Sequence, residues 1–253
     1  MARPIVRIRD LNFSYGDTPI LKGINAEIYP GQITVIAGRS GCGKTTLLRN
    51  IVRLEIPTSG SIELFGHEIT SYSEQAFGEV RRRIGMLFQH GALLDSISVH
   101  DNIAIPLEQH TRLPPRLITR IVDTKLNRVG LNGVTHLFPS ELSGGMKKRA
   151  ALARAMALDP EILFFDEPSA GLDPMTSKTL DALIIGMAQR FGITLVAVTH
   201  ELTSIRRIAD HILFLDDGEV RFDGTFEEAN ACCDEVVFDF FHADRRQGLG
   251  CVD

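Results

Sequence analysis

Gly38-Arg39-Ser40-Gly41-Cys42-Gly43-Lys44-Thr45 decides the fold, because it meets every fixed position of the G-x-x-x-x-G-K-[ST] pattern. Glycines let main-chain N–H groups point inward at phosphate oxygens, and a helix starting at the end of the loop adds its positive pole. Lys44 supplies a mobile charge to β- and γ-phosphates, and Thr45 offers its hydroxyl to Mg²⁺. The candidate nucleotide contacts here are Gly38, Arg39, Ser40, Gly41, Cys42, Gly43, Lys44, Thr45 and Thr46. Ile33 to Ala37 reads as a buried strand entering the loop, and Thr45 to about Val52 as the helix leaving it. That order, strand then glycine turn then helix, separates the motif from an ordinary glycine turn.

Downstream stands a second glycine-rich stretch, Leu142-Ser143-Gly144-Gly145, opening another helix whose N–H groups can close over a phosphate. Beyond it the apolar run Ile162-Leu163-Phe164-Phe165 ends in Asp166-Glu167, which puts two carboxylates at the carboxyl end of a buried strand. Open α/β sheets bind ligands at that end. Asp166 is suited to hold Mg²⁺ through water, and Glu167 to polarise an attacking water. Thr194 to Val198 is a further buried strand, with His200 just past it.

Short apolar runs alternate with helical patterns along the whole chain, which predicts an α/β fold. Strands are expected near Ile5 to Ile8 and Ile20 to Ile28, about a turn at Tyr15-Gly16-Asp17, and from Ser61 to Phe65 after the turn Pro57-Thr58-Ser59-Gly60. Between Gln89 and about Ala157 the pattern becomes mainly helical; Pro114-Pro115 opens a helix that ends at Gly130. Asp173-Pro174 reads as an N-cap and first helical residue. His211 to Leu215 and Val220 to Phe222 read as strands. One short helix is expected from Thr225 to His242, with a frayed end at Gln247-Gly248-Leu249-Gly250.

Composition bounds the function classes. The chain has 253 residues, a formal net charge of −5 and 44% hydrophobic residues, ordinary values for a soluble globular protein. The negative charge argues against a nucleic-acid partner. Arg81-Arg82-Arg83 and Lys147-Lys148-Arg149 accordingly read as solvated helix faces. No apolar run approaches the ~20 residues that span a bilayer, and Met1-Ala2-Arg3-Pro4 leads straight into a strand, so no signal peptide is expected. The four cysteines lack metal-ligand spacing, which suggests a reduced cytosolic setting without disulfides. Cys42 reads as a small filler in the loop, and Cys251 does not form a prenylation box.

The order of phosphate loop, Ser143-Gly144-Gly145, Asp166-Glu167 and His200 resembles the ATP-binding cassette ATPases over roughly Val6 to Gly224. The resemblance implies a P-loop ATPase with a RecA-like core, an antiparallel β subdomain and an α-helical signature subdomain. It implies one cassette over residues 1–253, with the helical subdomain at 89–157 and a short C-terminal helix and tail at 225–253. ATP and Mg²⁺ are the implied cofactors. Two copies would sandwich ATP between the phosphate loop of one and Ser143, Gly144 and Gly145 of the other. Glu167, His200 and Lys44 become the catalytic set, with His200 as the switch histidine at the γ-phosphate. Gln89 resembles the glutamine that senses Mg²⁺, joining Thr45 and Asp166 as metal residues. Tyr15 stands where the superfamily stacks an aromatic ring on adenine, and Ser169-Ala170-Gly171-Leu172-Asp173 resembles the loop through which subunits communicate.

A finer resemblance, to the Mla/Mce lipid-transport ATPases, lies in three segments. Met146 stands where solute importers usually carry glutamine. Phe88-Gln89-His90-Gly91-Ala92-Leu93-Leu94-Asp95-Ser96 and Asn102-Ile103-Ala104-Ile105-Pro106-Leu107, followed by His110-Thr111, match the other two. This implies a homodimer on the cytoplasmic face of the inner membrane, under an integral membrane permease dimer. A periplasmic MCE protein and a cytosolic STAS-domain subunit are further implied partners. Some such ATPases carry a longer C-terminal segment that grips the neighbouring subunit; this chain departs from them by stopping soon after Phe241-His242, so the resemblance does not extend to that grip. An ATPase of a small-solute importer or exporter is the alternative, and a soluble ABC protein of DNA repair or translation is a third reading. Against the third stand the single cassette and the lack of metal-spaced cysteines.

Overall fold

The computed structural model describes residues 3–243. They fall into two compact units, one built from the chain up to Ser73 and from Val196 onward, the other from Glu74–Leu195. The expected frayed end at Gln247 to Gly250 and Cys251 lie outside the described residues.

In the first unit, β1 (Val6–Tyr15) and β2 (Thr18–Ile28) form an antiparallel hairpin. Their connection needs left-handed backbone at Gly16, φ +57, which glycine adopts without steric cost. β3 (Ile33–Gly38) is buried at every residue and leads through the phosphate loop into α1 (Lys44–Ile51). β4 (Ser59–Leu64) pairs antiparallel with β1, and β5 (His67–Glu68) closes a four-stranded sheet of order β2-β1-β4-β5. Ile8, Leu11, Ile24, Ile62 and Leu64 supply the buried side of this sheet.

The second unit opens with α2 (Glu74–Arg81), at whose end the basic run begins. β6 (Ile84–Leu87) follows, then α3 (Val99–His110), α4 (Pro115–Arg128), a single 3-10 turn at Pro139–Glu141 and α5 (Gly144–Ala155). Pro115 takes the first position of α4, where its missing N–H costs nothing. β7 (Ile162–Asp166) pairs parallel with β6, in register from Ile84↔Ile162 to Leu87↔Phe165. α6 (Pro174–Phe191) starts at Asp173, whose carboxylate accepts from the N–H groups of Met175 and Thr176 at 3.1 and 3.0 Å. It ends at Gly192 in the left-handed conformation, as helices commonly do.

The wholly buried β8 (Thr194–Val198) carries the chain back to the first unit. There α7 (Leu202–Ile208), β9 (His211–Asp216) and β10 (Glu219–Gly224) follow. β9 runs parallel to β3, from Thr34↔His211 to Gly38↔Leu215, and antiparallel to β10. Both units thus contain parallel strands, with β3 and β7 buried at every residue, the α/β arrangement the sequence predicts.

The tail differs from expectation. Instead of one helix from Thr225 to His242 there are two, α8 (Phe226–Asn230) and α9 (Glu235–Phe241). Thr225 opens α8 with a capping box, and Asp234 caps α9 by accepting from Val236 and Val237 at 2.9 and 3.1 Å. An aspartate that binds N–H groups ahead of it restarts a helix rather than continuing one. Phe214, Phe226, Phe240 and Phe241 pack this end together.

Candidate functional site

The phosphate loop sits at the carboxyl end of β3. Gly38, Gly41 and Gly43 have φ of +147, +83 and +104. At Gly38 a Cβ would lie 2.2 Å from the Leu215 carbonyl oxygen, so only glycine fits. Gly43 is less crowded, with a Cβ position 2.9 Å from a Leu21 methyl and 3.2 Å from the Ile20 carbonyl oxygen. β2 and β9 therefore hold the loop from two sides. Gly43 caps α1 without a side chain, and no acidic residue occupies the first turn, so the positive end of the helix stays uncompensated toward the loop.

Lys44 is buried, and its ammonium donates to the carbonyls of Gly38 and Arg39 at 2.9 and 2.8 Å. The charge is thereby drawn across the loop. Cys42 is buried beside it; burial pushes its thiol up from the ordinary range, against the pull of Lys44. Arg39, Ser40 and Gly41 are exposed, and Thr45 and Thr46 are partly buried in the first turn of α1. Thr199 donates its N–H to the Ile36 carbonyl at 3.3 Å, two residues before Gly38. His200, exposed and next in the chain, thus leaves β8 alongside the phosphate loop. Tyr15 ends β1 with its ring 47% exposed. Phe13 meets that ring edge-on at 4.8 Å, and the Tyr15 hydroxyl donates to Glu55 at 3.1 Å.

In the second unit the β6–β7 register brings Gln89 and Asp166-Glu167 to the same strand ends, since each follows the Leu87↔Phe165 pair. Asp166 and Glu167 are both buried, whereas Gln89 is exposed. Glu167 has φ +47, a left-handed backbone that a non-glycine residue adopts at a cost of about 1–3 kcal/mol. Such strain concentrates at functional sites, where the surroundings hold it in place. From Glu167 the chain turns through Ala170 N–H to Glu167 O at 3.2 Å and Leu172 N–H to Ser169 O at 3.1 Å, reaching the Asp173 cap.

Ser143 caps α5, its Oγ accepting from the Met146 N–H at 3.3 Å. Ser143 and Gly144 are exposed, and Gly145 is partly buried. A Cβ at Gly145 would meet the Thr176 methyl at 2.7 Å, so the second glycine also lets α5 approach the start of α6.

Three residues in this unit escaped the sequence reading. Lys148, expected on a solvated face, is buried, and its ammonium donates to the main-chain carbonyls of Gln89 and Glu167. Helical spacing carries the signal: Lys148 lies three and four residues before the buried Ala151 and Leu152, on the apolar face. Arg154 donates to the carbonyls of Gly91 and Ala92 at 2.9 and 2.7 Å, and burial lowers its pKa. Asn102, 0% exposed, accepts from Leu94 N–H at 2.8 Å and donates to the carbonyls of Leu94, Ile97 and Ser98. The loop from Gln89 to Ser98 is thus pinned by its main chain, while Leu94 stays 49% exposed. The remaining basic residues divide: Arg81 and Arg82 are exposed as expected, and Arg83 forms a two-armed pair with Glu161.

Residues 21–170 match the family model described as ABC transporter. The intermembrane phospholipid transport system ATP-binding protein MlaF of Haemophilus influenzae is 42% identical over 96% of this chain and 92% of its own. Its counterpart in Escherichia coli K12 is 43% identical over 93% and 88%. The methionine import ATP-binding protein MetN of Brucella abortus is 41% identical over 87% of this chain but 60% of its own. Among solved structures, cbiO1 from Clostridium perfringens, part of the transporter complex cbiONQ, superposes with TM-score 0.83 at 32% identity, covering 96% of each chain. The dimeric cassette MJ0796 bound to ADP and Pi gives TM-score 0.80 at 29% identity, over 87% of this chain and 98% of that one.

Proposed function

The chain belongs to the ABC transporter family, and from that premise we propose that it is the ATP-hydrolysing subunit of a transporter moving phospholipid between inner and outer membranes. The observation that carries the lipid reading is the near end-to-end likeness to the two intermembrane phospholipid transport ATP-binding proteins. The importer reading draws on the methionine import protein, of which this chain spans only 60%. Met146 in place of glutamine also weighs against it.

In this reading Lys44 and the loop N–H groups take the β- and γ-phosphate charge, and Tyr15 stacks on adenine. Glu167 accepts a proton from a water whose oxygen bonds to the γ-phosphorus as the bond to the ADP oxygen breaks. His200 holds that water in line. The hydroxyl of Thr45, the amide oxygen of Gln89 and the carboxylate of Asp166 are hard oxygen donors of the kind Mg²⁺ prefers. Bound there, Mg²⁺ would neutralise charge developing on the phosphates. Ser143, Gly144 and Gly145 of a second copy complete the site, so the working form is a homodimer.

No described helix is long and apolar enough to cross a membrane. The likeness to the intermembrane phospholipid transport proteins supports a chain that works under an integral membrane permease, peripheral on the cytoplasmic side of the inner membrane. The pinned segment with Leu94 exposed suits contact with permease helices. A periplasmic MCE protein and a cytosolic STAS-domain subunit complete the proposed assembly. Solubilising native membranes with the chain tagged and identifying its companions tests this reading. Recovery of a permease with an MCE subunit supports it; a periplasmic solute-binding protein in its place favours the importer.

A further inference from the structure

α5 carries a buried cation that none of the roles above uses. Lys148 is 6% exposed, and its ammonium donates to the Gln89 carbonyl and, at 3.4 Å, to the Glu167 carbonyl. Those carbonyls belong to the two segments that emerge together from the parallel β6–β7 pair. Both segments hold backbone that side chains rarely adopt, at Glu167 (φ +47) and at Ala92 (φ +49). Arg154 extends the same hold, bonding the carbonyls of Gly91 and Ala92. The main chain from Gln89 to Ala92 therefore hangs on two α5 cations, and Glu167 shares the first of them.

Packing does not account for a lysine at this place. Burying an ammonium carries a desolvation cost that is offset only by well-placed acceptors, and a methionine would fill much the same volume without that cost. What lysine adds is one ammonium that donates to both carbonyls at once. A change of backbone conformation at Glu167, or a shift of Gln89, would disturb a bond to that shared charge.

We propose that Lys148 is a positioning residue for ATP hydrolysis, fixing the main chain of Glu167 against the Gln89 segment so that movement of one is felt by the other. This rests on the preceding assignment of Glu167 as the base. It gives α5 a second function: its first turn meets the neighbouring copy's nucleotide, and its next turn sets the carboxylate of its own.

The test is steady-state ATPase kinetics on the full chain for Lys148→Met and Lys148→Arg, beside Glu167→Gln. Misplacing a catalytic group by a fraction of a bond length is worth about ten- to a hundredfold in rate, so Lys148→Met should lose that much kcat. Because the proposed role is to position Glu167 rather than to bind nucleotide, KM for ATP should move by less than about threefold. ATP-bound dimer should accumulate, as with loss of the base, and Lys148→Arg should recover most of kcat because it keeps charge and donors. Wild-type kcat in Lys148→Met overturns the proposal. So does a loss of kcat that comes with a matching rise in KM and early thermal unfolding, the mark of a merely structural role. If Lys148→Met does not fold, Lys148→Gln, a neutral donor, is read by the same criteria. Near-normal turnover in Glu167→Gln removes the base assignment instead. Lost turnover there, with normal turnover in Lys148→Met, sinks the positioning role alone.

Discussion

Lys44 has its ammonium held by two loop carbonyls at 2.9 and 2.8 Å. Lys44→Ala removes a charge-assisted contact worth about 1.5–3 kcal/mol, and ATP affinity should fall roughly ten- to a hundredfold. Titration with a fluorescent ATP analogue measures this, and unchanged affinity would count against the phosphate role. Glu167 differs in kind, because the role proposed for it lies in the rate. Glu167→Gln keeps the shape but cannot take the water's proton, so turnover should drop by about 10²–10⁴ while ATP binding persists. Near-normal hydrolysis in that variant would take Glu167 out of the reaction.

At the scale of elements, α5 presents Ser143 at an exposed N-terminus while burying Ala150, Ala151, Leu152 and Ala153. Ser143→Arg should leave ATP binding by the single chain intact and block the ATP-dependent dimer, since a bulky cation would fill the opposing phosphate site. Size-exclusion chromatography with ATP reads the result, and a normal dimer would refute the two-chain site. Elsewhere His211 of β9 is paired with Asp223 of β10, and that hydrogen bond holds the imidazole above its ordinary pKa despite partial burial. A raised folded-state pKa stabilises the fold when the group is protonated. The contribution is therefore fully present below about pH 6.5, the unfolded value, and fades as pH rises through the folded value. Melting temperatures across that range should show the wild type losing an increment that His211→Gln never had. Parallel curves would refute the coupling.

For the whole molecule the issue is how hydrolysis reaches a bilayer. Arg154, Lys148 and Asn102 hold the main chain from Gln89 to Ser98 and leave Leu94 outward, so a partner pressing on that segment meets a stiff surface. Leu94→Arg should leave the chain folded and able to bind ATP, yet uncouple it from transport. ATP-dependent phospholipid transfer from permease vesicles to an MCE acceptor is the assay. Undiminished transfer by the variant would refute the docking assignment. An unmutated complex that carried a small solute and no lipid would refute the lipid reading as a whole.

The sequence by itself determined the α/β class and the nucleotide chemistry, because phosphate binding needs glycine, lysine and hydroxyl at fixed spacing along one local turn. It also located Asp166-Glu167 and the Asp173 cap, whose signals are equally local. Other features depended on neighbours remote in the chain. Lys148 looks solvated in a run of basic residues and is buried only because its face of α5 packs inward onto the Gln89 and Glu167 main chains. Gly38 is irreplaceable because of the Leu215 carbonyl, far along the sequence. The left-handed backbone at Glu167 and the break between α8 and α9 were likewise hidden, the first because nothing in a glutamate forecasts positive φ, the second because one capping aspartate outweighed a continuous apolar pattern. Tertiary structure decided which carbonyls the buried cations hold, since hydrogen bonds to main chain leave no trace in residue type.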